Sequence, residues 1–393
     1  MKSHGKGWVK KVFPGANTPE GFFSFYEQLL PPDANKTIIV KGGPGVGKST
    51  FMKRVGQRFV DMGYDVEFFC CSSDNDSYDG AAVHDLGFTV VDGTAPHVVD
   101  PKNPGAVDEI INLGEFWNES SLRASRREIM NANAEISRLF ERAFRYLKEA
   151  KICHDDWEAC YTEALDFGYV NCMADEMRRD ILGDLPVTRV PGRPRRLFAS
   201  ALSPDGPVHH LDTIVGRLPR RYVLKGEPGT GKSTIARKIG EAAIERGLDV
   251  EFYHCPLDPT KVDHVVIPAL GVAVISGTWP HLYDASKELD RTVEMKVALD
   301  RGVLSKYQDI IASSRERFHQ AILRATEFLH KAKTVHDEMQ AYYVRSMDFG
   351  AVDRLSERVI ARLIDLEREA GAEVTALFCA TGEPPRPTRA CGS

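Results

Sequence analysis

The sequence predicts an α/β protein of two tandem domains, each a parallel sheet flanked by helices and carrying a long helical extension. Three observations predict it. KGGPGVGKST at 41–50 returns as KGEPGTGKST at 225–234, identical at eight of ten positions. Each copy lies between a short apolar, β-branched run and a helical pattern, the alternation that builds a sheet covered by helices. Further on, each half has a stretch free of Gly and Pro, 119–167 and 303–349.

At 393 residues the chain exceeds what one hydrophobic core usually organises. The internal repeat sets the division. An offset of 184, as from Gly42 to Gly226, also aligns DVEFFCC (65–71) with DVEFYHC (249–255) and GTAPHVVD (93–100) with GTWPHLYD (277–284). At offset 182, AKICHDDWEACYTEALDFG (150–168) matches AKTVHDEMQAYYVRSMDFG (332–350). The Pro- and Arg-rich LPVTRVPGRPRR (185–196) marks the linker, so the domains are expected at 1–190 and 191–393.

The elements follow in order. β runs at Thr37–Lys41 and Tyr222–Lys225 enter the glycine-rich loops, and helices from Lys48 and Lys232 stop near Gly63 and Gly247, natural C′ glycines. Strands at 65–71 and 249–255 come next, then FTVVD (88–92) and VAVIS (272–276). Apolar β-branched runs of this kind argue for a parallel sheet buried on both faces. In the extension, Ile129, Ile136, Phe140, Ala143, Leu147 and Ala150 recur at helical spacing. The two extensions are expected to bury their stripes against each other, His154 lying on one stripe. Gly168 and Gly350, in the repeated DFG, are expected to end the long helices.

With 51 Lys plus Arg against 56 Asp plus Glu, a net charge of −5 gives no basic field and argues against nucleic acid. The longest apolar run, Val265 to Ile275, is broken by Pro268 and too short to span a bilayer. The basic N-terminus lacks a following apolar segment. A cytoplasmic location is expected. Eight scattered cysteines with no C-x-x-C pair argue against disulfides and structural zinc. Cys70 and Cys71 read as buried free thiols.

The repeated loop carries the chemistry. G-x-x-x-x-G-K-[ST], intact twice between strand and helix, lets backbone N–H groups converge on phosphate oxygens at the positive end of a helix. The residues expected to hold polyphosphate are Gly42, Gly43, Gly45, Val46, Gly47, Lys48, Ser49 and Thr50, and Gly226, Gly229, Thr230, Gly231, Lys232, Ser233 and Thr234. Lys48 and Lys232 reach the β- and γ-phosphates, and Ser49 and Ser233 offer hydroxyls to Mg²⁺. On these motifs the chain resembles the P-loop NTPase superfamily. With SSDNDS and VVDGTAPHV it is more closely similar to a family of functionally uncharacterised bacterial tandem P-loop ATPases, a resemblance that spans nearly the full chain. It implies ATP binding and a shared duplicated fold, and names no substrate.

The halves differ where metal chemistry would occur. Asp92 ends an apolar strand and fits a Mg²⁺-holding carboxylate, whereas its aligned partner is Ser276. The first loop is therefore expected to be catalytic and the second regulatory, with Asp258, the partner of Asp74, as a substitute metal carboxylate in the second half. His97, five residues past Asp92 and retained as His281, is a candidate γ-phosphate sensor or proton shuttle. Asp74 and Asp76 resemble the paired carboxylates of small-molecule kinases, and also an ordinary polar turn. Slow Mg²⁺-dependent ATP hydrolysis is the leading expectation. A small-molecule or nucleotide kinase, and a nucleotide-gated interaction module using the helices as a protein-partner surface, are the alternatives.

Overall fold

The computed structural model describes residues 5–30, 33–96, 98–279, 283, 288 and 290–381. In chain order the first half holds β1 (Val9–Val12), β2 (Gly15–Thr18), β3 (Gly21–Ser24), β4 (Lys36–Lys41), α1 (Lys48–Asp61), β5 (Val66–Cys70), β6 (Tyr78–Val83), β7 (Phe88–Asp92), β8 (Asp108–Asn112), α2 (Glu119–Ala124), α3 (Arg126–Glu163) and α4 (Phe167–Leu182). The second holds β9 (Pro194–Leu197), β10 (Ser200–Ser203), β11 (Gly206–His209), α5 (Leu211–Val215), β12 (Arg220–Lys225), α6 (Lys232–Glu245), β13 (Val250–Cys255), β14 (Asp258–Ile267), β15 (Val272–Ser276), β16 (Asp290–Glu294), α7 (Arg301–Leu304), α8 (Gln308–Ser346) and α9 (Phe349–Thr381). No helix among the described residues is long and apolar enough to cross a membrane.

Two six-stranded sheets share one order, β1-β5-β6-β7-β4-β8 and β9-β13-β14-β15-β12-β16. They are mostly parallel, which corrects the all-parallel expectation. β6 runs antiparallel to β5 and β7, and β14 antiparallel to β13 and β15. The polar turn after β5 folds the chain straight back, and the returning YDGAAV is too rich in Gly and Ala to announce itself as a strand.

Alternation along each strand feeds two cores. Ile38, Val40, Phe68 and Val90 face α1, while Ile39, Phe69 and Val91 face a core shared with Val223, Tyr253, Ala273 and Ile275 of the other sheet. The inner faces of the sheets thus bury each other. The outer faces are covered by exchange. On the first sheet, α1 is joined by Val352, Val359, Ile360 and Leu363 of α9; on the second, α6 is joined by Val170, Ala174, Met177 and Ile181 of α4. Four such aliphatic side chains contribute roughly 6–12 kcal/mol of gross apolar burial.

The long helices α3 and α8 carry the chain across. Leu147, Ala150, Cys153 and Trp157 of α3 pack with Phe318, Ala321, Ile322 and Ala325 of α8, so the stripes cover each other as their spacing predicts. Gly168 does not end α3. Asp166 Oδ1 accepts the Tyr169 amide at 2.9 Å as the N-cap of α4, which puts Gly168 in that helix's first turn. Asp348 accepts from Ala351 in the same way, and Gly350 opens α9. A cap Asp outcompetes a C′ glycine here because the next helix begins at once.

Where the edges of the sheets meet, four buried or half-buried charges alternate. Arg195 of β9 forks onto Glu67 of β5 at 3.0 and 2.6 Å, and Lys10 of β1 reaches Glu251 of β13 at 2.7 Å and Glu67 at 3.2 Å. Burial opposes the Glu67 charge, but Arg195 and Lys10 outweigh it and hold its carboxyl well below the ordinary range.

Candidate functional site

β4 feeds the first loop, where Gly45 and Gly47 take φ of +69° and +94°, conformations that favour glycine. α1 begins at Lys48 with no side-chain cap and no acidic residue in its first turn, leaving amides that suit an anion. α6 begins the same way at Lys232. Lys48 Nζ donates to the carbonyls of Gly42 and Gly43 at 2.9 and 2.7 Å and stands 3.7 Å from the Asp92 carboxylate. Lys232 Nζ donates to Gly226 and Glu227 at 2.5 and 2.7 Å. Burial pulls its pKa down to about 8, against the attraction of Asp263 and Glu227.

β7 lies beside β4 and delivers Asp92 to the loop. Asp92 Oδ1 accepts the Thr94 amide at 2.8 Å, and the Thr94 hydroxyl donates to the Gly42 carbonyl at 3.1 Å. Burial raises the Asp92 pKa while Lys48 opposes the rise. Ser49 Oγ accepts the Tyr78 amide at 2.9 Å, and Ser233 Oγ accepts the Val262 amide at 3.1 Å. Val46 and Thr230 are buried beneath their loops, and Thr50 is exposed.

The sequence reading passed over Asp79. It is buried on β6, accepts the Tyr26 hydroxyl at 2.8 Å, and lies within electrostatic reach of both Asp92 and Lys48. Burial, with the Asp92 charge adding, pushes its carboxyl up to about 7. The available signal was its retention as Asp263 at the same 184 offset.

Asp74 turns elsewhere. Its carboxylate takes the Ser77 hydroxyl at 2.6 Å and the Asp76 amide at 3.3 Å, closing its own turn, and faces Lys333 of α8 at 3.7 Å. Asp76 is exposed. Asp258 mirrors this, with Thr260 closing the turn and Lys151 of α3 at 3.6 Å. His97, His281 and Asp284 lie outside the described residues. Asp100 is exposed, 3.5 Å from Lys41 Nζ. Among the described residues one His-carboxylate group has metal-like spacing, His154, Asp155 and Glu158. Lys151 and Lys261 already neutralise its carboxylates at 2.6 Å each. His154 is half-buried, as a stripe position predicts.

Each loop lies under the long helix of the other half. A Cβ on Gly45 would come 2.5 Å from Gln340 Cγ and 3.0 Å from the Gln340 carbonyl of α8; one on Gly229 would come 2.3 Å from the Glu158 carbonyl of α3. An open groove of about 840 Å³ lies between α1 and α9 around Arg54, Arg58 and Asp353, and none of the loop residues lines it.

Comparison with known proteins gives one partial likeness. The chain is 32% identical over 111 residues to a UDP-N-acetylmuramate--L-alanine ligase of Gloeobacter violaceus, a stretch covering 25% of this chain and 22% of that protein. The chain therefore spans about a fifth of that relative's length. No family model and no solved structure matches.

Proposed function

We propose that both loops bind a nucleoside triphosphate, ATP with Mg²⁺, and that the first hydrolyses it while the second regulates. The observation that carries this reading is Lys48. Its ammonium hangs between two loop carbonyls and Asp92, at the start of an uncapped helix. The partial relative's name contains a nucleotide-linked substrate, which accords with a nucleotide ligand and goes no further.

The residues suit the cation. The Ser49 hydroxyl and the half-buried Asp92 carboxyl adjoin Lys48's loop, a hard oxygen pair; Ser233 is the hydroxyl counterpart in the second loop. Ser49 and Asp92 would hold Mg²⁺ in the first site, where it would supply positive charge to the polyphosphate. The chain's own part is positional. Lys48 exchanges the Gly42 and Gly43 carbonyls for phosphate oxygens, the α1 amides fix the polyphosphate, and Asp92 stays oriented by Thr94. Gly93 follows Asp92, so no second acid follows on that strand, and His97 is kept as the γ-phosphate sensor or proton shuttle.

The covering helices support the regulatory half of the reading. Loop two touches α3, loop one touches α8, and α3 packs on α8, so a ligand at one loop bears on the other. Asp74's engagement in its own turn makes it a poor acceptor-positioning group, which ranks the kinase reading second. Measuring ATP turnover in Lys48→Ala and Lys232→Ala separately tests the proposal. Abolished turnover in the first and altered but persistent turnover in the second is expected. Equal loss in both refutes the asymmetry, ADP formation only with an added acceptor supports a kinase, and binding without turnover supports a gated interaction module.

A further inference from the structure

In the second half Ser276 stands where the first has Asp92, and Asp258, the expected substitute carboxylate, is engaged in its own turn. The strand between the sheets' parallel members supplies another. β6 pairs with β5 in steady register from Ala82–Glu67 to Gly80–Phe69, and the next pair is Tyr78–Cys70, so Asp79 is the extra residue of a bulge. β14 does the same against β13. His264 pairs with Tyr253 and Val262 with His254, leaving Asp263 as the extra residue. Bulges re-aim a side chain and concentrate beside functional sites. Here the two halves place one at the same aligned Asp.

Three further contacts fix where these carboxylates sit. The residue before each bulge, Tyr78 or Val262, donates its amide to the loop serine, Ser49 or Ser233. On the other side, the Gly80–Val91 and His264–Ile275 pairs carry the register to Asp79 opposite Asp92 and Asp263 opposite Ser276. The thiols of Cys71 and Cys255 lie within electrostatic reach of the two acids. Each bulge acid therefore follows the residue bonded to the loop serine and sits in register with the end of β7 or β15.

We propose that Asp79 and Asp263 are the carboxylates common to both sites that hold the nucleotide's divalent cation, directly or through water, with Asp92 a second carboxylate found in the first site alone. The proposal rests on the nucleotide reading above. It makes the second loop a Mg²⁺-nucleotide site in its own right, puts Asp263 in the role expected of Asp258, and sets the asymmetry between the halves at two carboxylates against one. A carboxylate beside a serine hydroxyl is the hard oxygen set Mg²⁺ selects.

The test measures ATP affinity calorimetrically with excess Mg²⁺ and with EDTA, in Lys48→Ala chains so that loop two alone is read. Mn²⁺–ATP binding is followed in parallel by electron paramagnetic resonance. Asp263→Asn, which keeps shape and hydrogen-bonding capacity, is expected to lower the Mg²⁺-supported affinity and the bound-Mn²⁺ signal by about ten- to a hundredfold, with affinity in EDTA little changed. Asp263→Glu is expected to restore part of the metal dependence. In Lys232→Ala chains, Asp79→Asn is expected to reduce the metal effect at loop one and Asp79→Asn with Asp92→Asn to abolish it. Full metal enhancement in Asp263→Asn overturns the proposal alone. Equal loss with and without metal also overturns it, by making Asp263 structural. Failure of the unsubstituted chain to bind ATP in either condition overturns the nucleotide reading itself.

Discussion

Gly45→Ala probes the exchange of covering helices at its tightest point. Alanine at φ +69° costs about 1–2 kcal/mol for the left-handed backbone alone. Its Cβ would also lie 2.5 Å from Gln340 Cγ and 3.0 Å from the Gln340 carbonyl and Val344 Cγ2, overpacking worth about 1–3 kcal/mol. The expected loss in stability is about 2–5 kcal/mol. Gly105 supplies the control, since it has φ +80° with nothing within 4 Å of an added Cβ, and Gly105→Ala should cost only about 1–2 kcal/mol. Removing the Gln340 side chain relieves one of the three contacts, so Gly45→Ala with Gln340→Ala should be less damaging than the sum of the singles by about 1 kcal/mol. Urea denaturation of the four variants and the parent chain measures all of this. Strict additivity, with Gly45→Ala no worse than Gly105→Ala, would show that α8 does not lie on the first loop and would refute the exchanged arrangement.

Three other outcomes follow from the same contacts. Glu67→Ala removes the carboxylate Arg195 forks onto and one of the two facing Lys10, leaving Glu251 to serve both cations, and should lower stability by about 3–5 kcal/mol, read as a fall in the urea midpoint. Phe318 is fully buried against Trp157 and Trp279, so Phe318→Ala should cost about 3–5 kcal/mol and shift tryptophan emission to the red. His210 is stacked on Phe13 at 5.0 Å, and burial lowers its pKa from about 6.5 to about 4. The unfolded chain therefore takes up the proton first, and stability should fall as pH drops from 6.5 towards 4; His210→Phe should flatten that segment of the melting-temperature profile.

The loops, the strands that enter them and the helices that leave them were legible because each rests on local chemistry: glycine at positive φ, lysine at a helix start, β-branched runs. So was the mutual burial of α3 and α8, whose stripes are long and uninterrupted. The destination of α4 and α9 was not. An apolar stripe says that a helix covers a sheet, and two sheets of the same order and composition offer equivalent seats. β6 was hidden by its glycine and alanines, and with it Asp79, which the eye passes over beside the more conspicuous Asp74 and Asp76. Comparing the halves position by position marks Asp79 and Asp263 as retained, whereas Asp76 gives way to Thr260; that comparison, rather than motif spacing, held the signal.

The seating of α9 on the first sheet sets an order of assembly. During synthesis Val40, Phe68 and Val90 emerge early, but Val352, Val359, Ile360 and Leu363, which complete their cover, leave the ribosome only after the whole second sheet. The amino-terminal sheet must therefore wait with part of an oily face open while everything after it is made, a window in which nascent chains are most prone to associate wrongly. The carboxy-terminal sheet has no such delay, since α4, its borrowed lid, is translated before it.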